Sequence, residues 1–145
     1  MNIVTNKQQG FTLIEVMVVV VILGILAAVV VPRIMDNPDK ARITKAKQDI
    51  RALESALNLY RLDNYKYPTT DQGLEALINA PGDLANNSNY KQGGYIRKLP
   101  ADPWGSGYLY LSPGEHGEVD IFSLGADGAP GGSGVSADIG NWNIQ

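Results

Sequence analysis

The sequence predicts an α+β fold: one long N-terminal α-helix packed on a small antiparallel β-sheet and followed by an irregular C-terminal loop. Three observations predict it. Residues 11–31 form an apolar run with a single ionisable side chain, residues 43–60 carry apolar side chains at helical spacing, and two short β-rich segments flank a turn near the C-terminal end. At 145 residues the chain has the length of one domain, and the apolar run removes part of it from any globular core. A net charge of -3 and a pI near 5.0 supply no basic field for phosphates, so nucleic acid is not an expected partner. Without cysteine there is no disulfide, no thiolate metal site and no cysteine nucleophile. A small head must then be held together by something else.

Residues 1–10 are polar with a single Lys7, and between residues 11 and 31 the only ionisable side chain is Glu15. As a helix rising roughly 1.5 Å per residue, this run reaches about 30 Å, enough to cross a bilayer core. A cleavable secretory signal has an apolar stretch of roughly 7 to 15 residues. This run is longer, although Leu26, Ala27 and Ala28 imitate a cleavage site. A plain membrane anchor fits the length but leaves Glu15 unexplained, because a carboxylate in lipid costs about 2.5 kcal/mol or more. Glu15 therefore needs a partner. Gly24 and Ala28 form a small-xxx-small pair that lets helix backbones approach closely. Pro32 lacks an N–H, so the helix either kinks there or ends.

The stretch Lys7, Gln8, Gln9, Gly10, Phe11, Thr12, Leu13, Ile14 and Glu15 resembles the processing site of type IV pilin-like precursors. The resemblance implies that a prepilin peptidase cuts between Gly10 and Phe11 and methylates the new Phe11 N-terminus. It also implies that the Glu15 carboxylate pairs with the N-terminal ammonium of a neighbouring subunit during assembly. Electrostatics agrees, since a buried carboxylate becomes tolerable beside an opposite charge. The flanking charges pull the other way: Arg33, Lys40, Arg42, Lys45, Lys47 and Arg51 follow the apolar run. By the positive-inside rule that bias would leave the C-terminal part in the cytoplasm. The resemblance places it outside, and the interspersed Asp36, Asp39 and Asp49 mark an ordinary charged helix surface.

From Ile43 the positions Ile43, Ala46, Ile50, Leu53, Leu57 and Tyr60 form one stripe of an amphipathic helix that a sheet or another helix must cover. Lys45 with Asp49 and Arg51 with Glu54 have the spacing of intrahelical pairs, each worth a few tenths of a kcal/mol, roughly 0.2–0.5. Alternatively, Arg51 or Glu54 reaches Arg97 or Lys98 of the next subunit. Thr69 and Gln72 have capping-box spacing and predict a short helix through about Ile78. Residues 80–94, rich in Asn, Gly and Ser, read as an irregular loop. Residues 108–111 and 119–123 read as an antiparallel hairpin. His116, the sole histidine, sits in its turn, where a solvated role is expected and no Ser-His-Asp arrangement can be built.

Three further segments sharpen the resemblance: residues 67–77; Leu99, Pro100, Ala101, Asp102, Pro103, Trp104 and Gly105; and Ser123, Leu124, Gly125, Ala126, Asp127 and Gly128. Together with the N-terminal motif they are similar to the major pseudopilins of bacterial type II secretion systems, within the type IV pilin-like superfamily. The implied organisation is a cleaved leader (1–10), a transmembrane and filament-core helix (11–32), its amphipathic continuation (33–62) and a globular head (63–145). The resemblance implies a pilin-like fold and a structural role, not an enzyme. It implies a homopolymeric periplasmic pseudopilus, built with minor pseudopilins on an inner-membrane assembly platform, whose growth drives folded proteins through a secretin channel. The precursor would be a single-pass inner-membrane protein with its C-terminal domain in the periplasm. A type IV pilin or competence pseudopilin, serving adhesion or DNA uptake, is the alternative. Many adhesive pilins close a C-terminal loop with a cysteine pair that is missing here. An enzyme or binding domain on a signal anchor is a third possibility, for which no nucleophile-base constellation is found.

Asp127 and Asp138 lie in a tail of Gly, Ser and Pro residues too irregular for a helix or strand. Their spacing imitates an EF-hand loop, but Ala129 and Gly131 occupy ligand positions and the final Glu is missing, so that motif is rejected. The pseudopilin resemblance instead implies a calcium site here: Asp127 and Asp138 through carboxylates, Leu124 and Val135 through carbonyls, and Ser133 as a further ligand. Two carboxylates with backbone oxygens suit a hard cation.

Overall fold

The computed structural model describes residues 10–86 and 89–144, and of residues 29–37 only the backbone. Two compact units emerge, Met1–Pro38 and Asp39–Gln145. A single helical assignment, α1 (Leu13–Asn64), contributes to both. It opens on a capping box not anticipated from the sequence. The Glu15 carboxylate accepts from the Thr12 N–H (2.9 Å) and hydroxyl (3.0 Å), while the Glu15 N–H donates to Thr12 Oγ1 (3.3 Å). At the other end Tyr65 takes φ 62°, and its N–H closes the last turn on the Arg61 carbonyl at 2.7 Å.

In the first unit the side chains of residues 11–28 are all exposed in the isolated chain. No helix among the described residues is long and apolar enough to cross a membrane. The last residues of the apolar run, and the expected kink at Pro32, fall among residues whose side chains lie outside that description. The helical assignment itself does not end at Pro32. Lys7, Gln8 and Gln9 of the processing motif also lie outside the described residues.

The second unit is built where the predicted stripe meets a sheet. Ala46, Ile50, Leu53, Leu57 and Tyr60 are buried, joined by Ala56, with Ile43 packed at the margin. Across from them stand β1 (Leu109–Leu111), β2 (Asp120–Ser123) and β3 (Ile139–Gly140), antiparallel in the order β1-β2-β3. Leu109 faces Phe122 and Leu111 faces Asp120, as the predicted hairpin requires. The third strand was not expected, because two residues inside a polar tail leave no alternating pattern. It pairs Ile139 with Ser123 and buries Ile139. Tyr108, just before β1, donates to the Asp49 carboxylate at 2.9 Å and so ties the sheet to α1. Burial, and then the Asp49 carboxylate, push the Tyr108 phenol far above its ordinary value.

The Thr69 and Gln72 capping box forms, with bonds of 3.0 and 3.2 Å, and the short helix expected through about Ile78 is a 3-10 helix (Leu74–Leu77) entered through a turn. Gly73 at φ 60° interrupts regular helix there. Lys45 pairs with Asp49 as expected. Arg51 does not pair with Glu54: its guanidinium reaches across to the Ile144 carbonyl at 2.6 Å and holds the C-terminal segment against α1. A buried carbonyl near the chain end is a fixed acceptor, whereas an exposed intrahelical pair is worth little.

Candidate functional site

Two regions carry the residues singled out from the sequence. At the N-terminal end, Gly10 and Phe11 precede the first helical turn, and both are exposed. An accessible, non-helical bond between them suits a peptidase. Phe11, Leu13 and Ile14 present their side chains to the surroundings. Glu15 sits among them, its carboxylate engaged by Thr12 of the same chain. The Thr-x-x-Glu spacing at the mouth of an apolar run was the signal for that bond.

The second region is the loop after β2. A 3-10 turn (Gly125–Asp127) leads outward, a second (Gly134–Ser136) leads back, and the two pack on each other. Their approach depends on Gly125, at φ 71°, where an added Cβ would lie 2.8 Å from the Val135 carbonyl oxygen and 2.9 Å from that of Ala137. Gly125, the residue after Leu124, is thereby seated against Val135. Asp138 accepts from the Gly131 N–H through Oδ2 (2.9 Å), while its buried Oδ1 has no hydrogen-bond partner. Asp127, exposed, accepts from Ala129 N–H at 3.1 Å. Ser133 spends its carbonyl on the Ser136 N–H, also at 3.1 Å. The loop therefore packs Gly125, next to Leu124, against the Val135 carbonyl, whereas Asp127 and Ser133 make their hydrogen bonds within their own turns.

Does this donor set fit calcium? Among the described residues no group of three or more His, Cys, Asp or Glu side chains could hold a metal. A site here would combine two carboxylates with backbone carbonyls, all hard oxygen donors. A buried carboxylate oxygen without a partner is costly, and a cation would satisfy it. In donor chemistry, and in the unpartnered Asp138 Oδ1, these residues suit such an ion.

Sequence reasoning passed over two buried carboxylates, one at each end of β2. Asp102 accepts from the Trp104 and Ser106 N–H groups (3.0 and 2.8 Å) and from Ser123 Oγ (2.6 Å). An Asp followed by Pro is a turn signal that could have indicated the first of these roles. Asp120 accepts from the Glu115 and His116 N–H groups and lies 3.0 Å from His116 Nδ1. The His116 ring stacks on Trp142 at 3.9 Å, so the expected solvated histidine is only half exposed and fastens the tail to the hairpin turn. Nothing in the sequence near His116 points to Trp142.

Comparisons with known proteins bear on the chain's family. The family described as "Type II secretion system (T2SS), protein G" matches residues 33–142, and the prokaryotic N-terminal methylation motif matches residues 5–31. Type II secretion system core protein G of Vibrio cholerae is 63% identical over 140 residues, spanning 97% of this chain and 95% of the relative. The protein of the same name from Pseudomonas aeruginosa is 58% identical, spanning 95% of this chain and 97% of the relative. The crystal structure of the major pseudopilin from the type 2 secretion system of enterohaemorrhagic Escherichia coli has a TM-score of 0.64 and 53% identity. It covers 74% of this chain and 92% of its own. With the methylation motif at one end, the helix-on-sheet head at the other and the family match running between, the chain belongs to the type II secretion system protein G family.

Proposed function

We propose that this chain is the major subunit of a type II secretion pseudopilus, a structural protein whose product is a filament and not a chemical reaction. The observation that carries this reading is the continuity of the match: a methylation motif over residues 5–31 passes directly into the protein G family over residues 33–142. In this reading a prepilin peptidase cleaves between Gly10 and Phe11 and methylates Phe11. The chain crosses the inner membrane once through residues 11–32, with its head in the periplasm. Subunits then polymerise through the apolar helix, alongside minor pseudopilins and an inner-membrane platform, and filament growth pushes folded proteins through a secretin.

Glu15 supplies the specificity of that step. A lone carboxylate among apolar neighbours is expensive in low dielectric unless an opposite charge meets it, and the methylated Phe11 ammonium of a sister subunit is such a charge. In the separate chain, the Thr12 N–H and hydroxyl already hold the carboxylate at the helix start. In the head, Asp127, Asp138, Leu124, Val135 and Ser133 would hold a calcium ion. Bound there, the ion supplies charge neutralisation and a cross-link between the two limbs of the loop, the role a disulfide plays in other small extracytoplasmic domains.

The test is expression of the full chain with prepilin peptidase and the assembly platform. Mass spectrometry should find a mature chain beginning at methylated Phe11, and Glu15→Leu should insert in the membrane yet yield few filaments. A chain that keeps its first ten residues, or a Glu15→Leu variant that assembles normally, would refute the reading. Co-isolation with a secretin separates this function from adhesion or DNA uptake.

A further inference from the structure

We propose that Asp102 and Ser123 are positioning residues for the calcium site, acting through the peptide that joins Leu124 to Gly125. The inference rests on the calcium reading above and adds residues that touch no metal. Asp102 is buried, at 5% exposure, and its carboxylate is the meeting point of three donors. Two are backbone N–H groups of its own turn, those of Trp104 and Ser106. The third is the hydroxyl of Ser123, itself 1% exposed, which donates to Asp102 Oδ2 at 2.6 Å.

A serine hydroxyl has one proton. Committed to a charged acceptor, that proton leaves the oxygen lone pairs free, and Oγ accepts from the Gly125 N–H at 3.2 Å. Donation to an anion also polarises the hydroxyl and strengthens it as an acceptor. The consequence follows from peptide planarity. In a trans peptide the N–H of Gly125 and the C=O of Leu124 lie in one plane and point in opposite directions. Fixing the Gly125 N–H on Ser123 therefore fixes the direction of the Leu124 carbonyl, a proposed ligand.

The same glycine is seated against the Val135 and Ala137 carbonyls, where a side chain would collide. The peptide is thus held from both sides: by a hydrogen bond from the sheet end and by close contact from the returning limb. Neither Asp102 nor Ser123 belongs to the loop, so their arrangement exists before any ion arrives. Pre-orientation of a ligand by an outer partner is commonly worth about 10–100-fold in metal affinity.

The test uses the full chain in detergent, with calcium affinity measured by calorimetry and by the fluorescence of Trp104 and Trp142 together. Ser123→Ala and Asp102→Asn should each weaken calcium binding about tenfold or more. Ser123→Thr, which keeps the hydroxyl, should bind nearly as tightly as the parent chain. Tyr110→Phe serves as the control for a purely structural loss: it removes the hydroxyl's bond to the Pro68 carbonyl, which no loop residue shares, and should lower the melting temperature without changing calcium affinity. Ser123→Ala and Asp102→Asn proteins that melt earlier but bind calcium as tightly as the parent would overturn the inference and leave the site standing. A parent chain that binds no calcium would remove the site and the inference together.

Discussion

Replacing Asp120 with alanine should destabilise the head by about 3 kcal/mol, and the reasoning can be followed bond by bond. Asp120 opens β2 opposite Leu111 and is 1% exposed. It accepts from the Glu115 N–H at 2.8 Å and the His116 N–H at 3.1 Å, with the His116 ring nitrogen at 3.0 Å. Hydrogen bonds to a charged group contribute about 1.5–3 kcal/mol each. The turn that supplies these donors is partly solvated, so water replaces part of what is lost and about 3 kcal/mol remains, the equivalent of two such bonds at the lower end. His116 would also lose the partner that holds it flat on Trp142 at an interplanar angle of 8°. For a head of about this size, roughly 4–8 °C of melting temperature accompanies each kcal/mol, so a drop of about 12 °C or more is expected at pH 7. Asp120→Asn keeps one acceptor oxygen and should lose about half as much. Burial alone would raise the Asp120 carboxyl, but the His116 ring and the two backbone N–H groups outweigh it and hold the group below its ordinary 3.8. A depressed carboxylate stabilises above its unfolded pKa and loses that contribution as pH falls through the folded one. The gap between the parent chain and Asp120→Asn should therefore close below about pH 4. The assay is thermal unfolding of the full chain in detergent, followed by tryptophan fluorescence, across pH 3 to 8. An Asp120→Ala protein melting within about 2 °C of the parent at pH 7 would refute the argument, since its size comes from these bonds alone.

Two further outcomes are expected. Excess chelator should lower the melting temperature of the head and raise its protease sensitivity around residues 124–138, because an ion bound only by the folded loop stabilises by mass action; an unchanged melting curve would dispose of the calcium reading. Leu57→Ala, at a fully buried position on the helix face that meets the sheet, should cost about 2–5 kcal/mol in chemical denaturation, and a loss under about 1 kcal/mol would mean that the helix is not packed there.

The helical parts of this molecule were legible because their signals are periodic. The stripe from Ile43 to Tyr60 and the buried face of α1 coincide, and the hairpin of β1 and β2 lies where alternation and a turn-rich connection put it. What escaped was non-periodic. Strand β3 is two residues long and exists because Ile139 and Gly140 are delivered to the edge of β2 by a folded loop, a long-range event with no local pattern. The short helix after Gln72 became a 3-10 helix because one glycine takes a positive φ, which no hydrophobic period reports. Arg51 looked like half of an intrahelical pair, since its true acceptor, a main-chain carbonyl at Ile144, has no side-chain identity to read. For the candidate calcium loop, composition located the segment and the family resemblance named the ligands. The structure sets Gly125 against the Val135 carbonyl, leaves Asp138 Oδ1 without a partner, and has Asp127 and Ser133 bonded within their own turns.

A common principle joins the parts that were missed. With no disulfide available, this head fastens both ends of its central strand with a buried carboxylate: Asp120 opens β2, and Asp102 takes the hydroxyl of Ser123, which closes it. Each carboxylate is met by backbone N–H groups of a neighbouring turn, 115–116 in one case and 104–106 in the other. A covalent cross-link would stabilise the strand whatever occupied the loop beyond it. A carboxylate that shares its hydrogen-bond chain with the Leu124–Gly125 peptide makes the end of β2 and the shape of that loop one cooperative unit. Ordering of the loop, by a cation or by contact with another subunit, is then transmitted to the strand that anchors it, and weakening of that strand is transmitted to the loop.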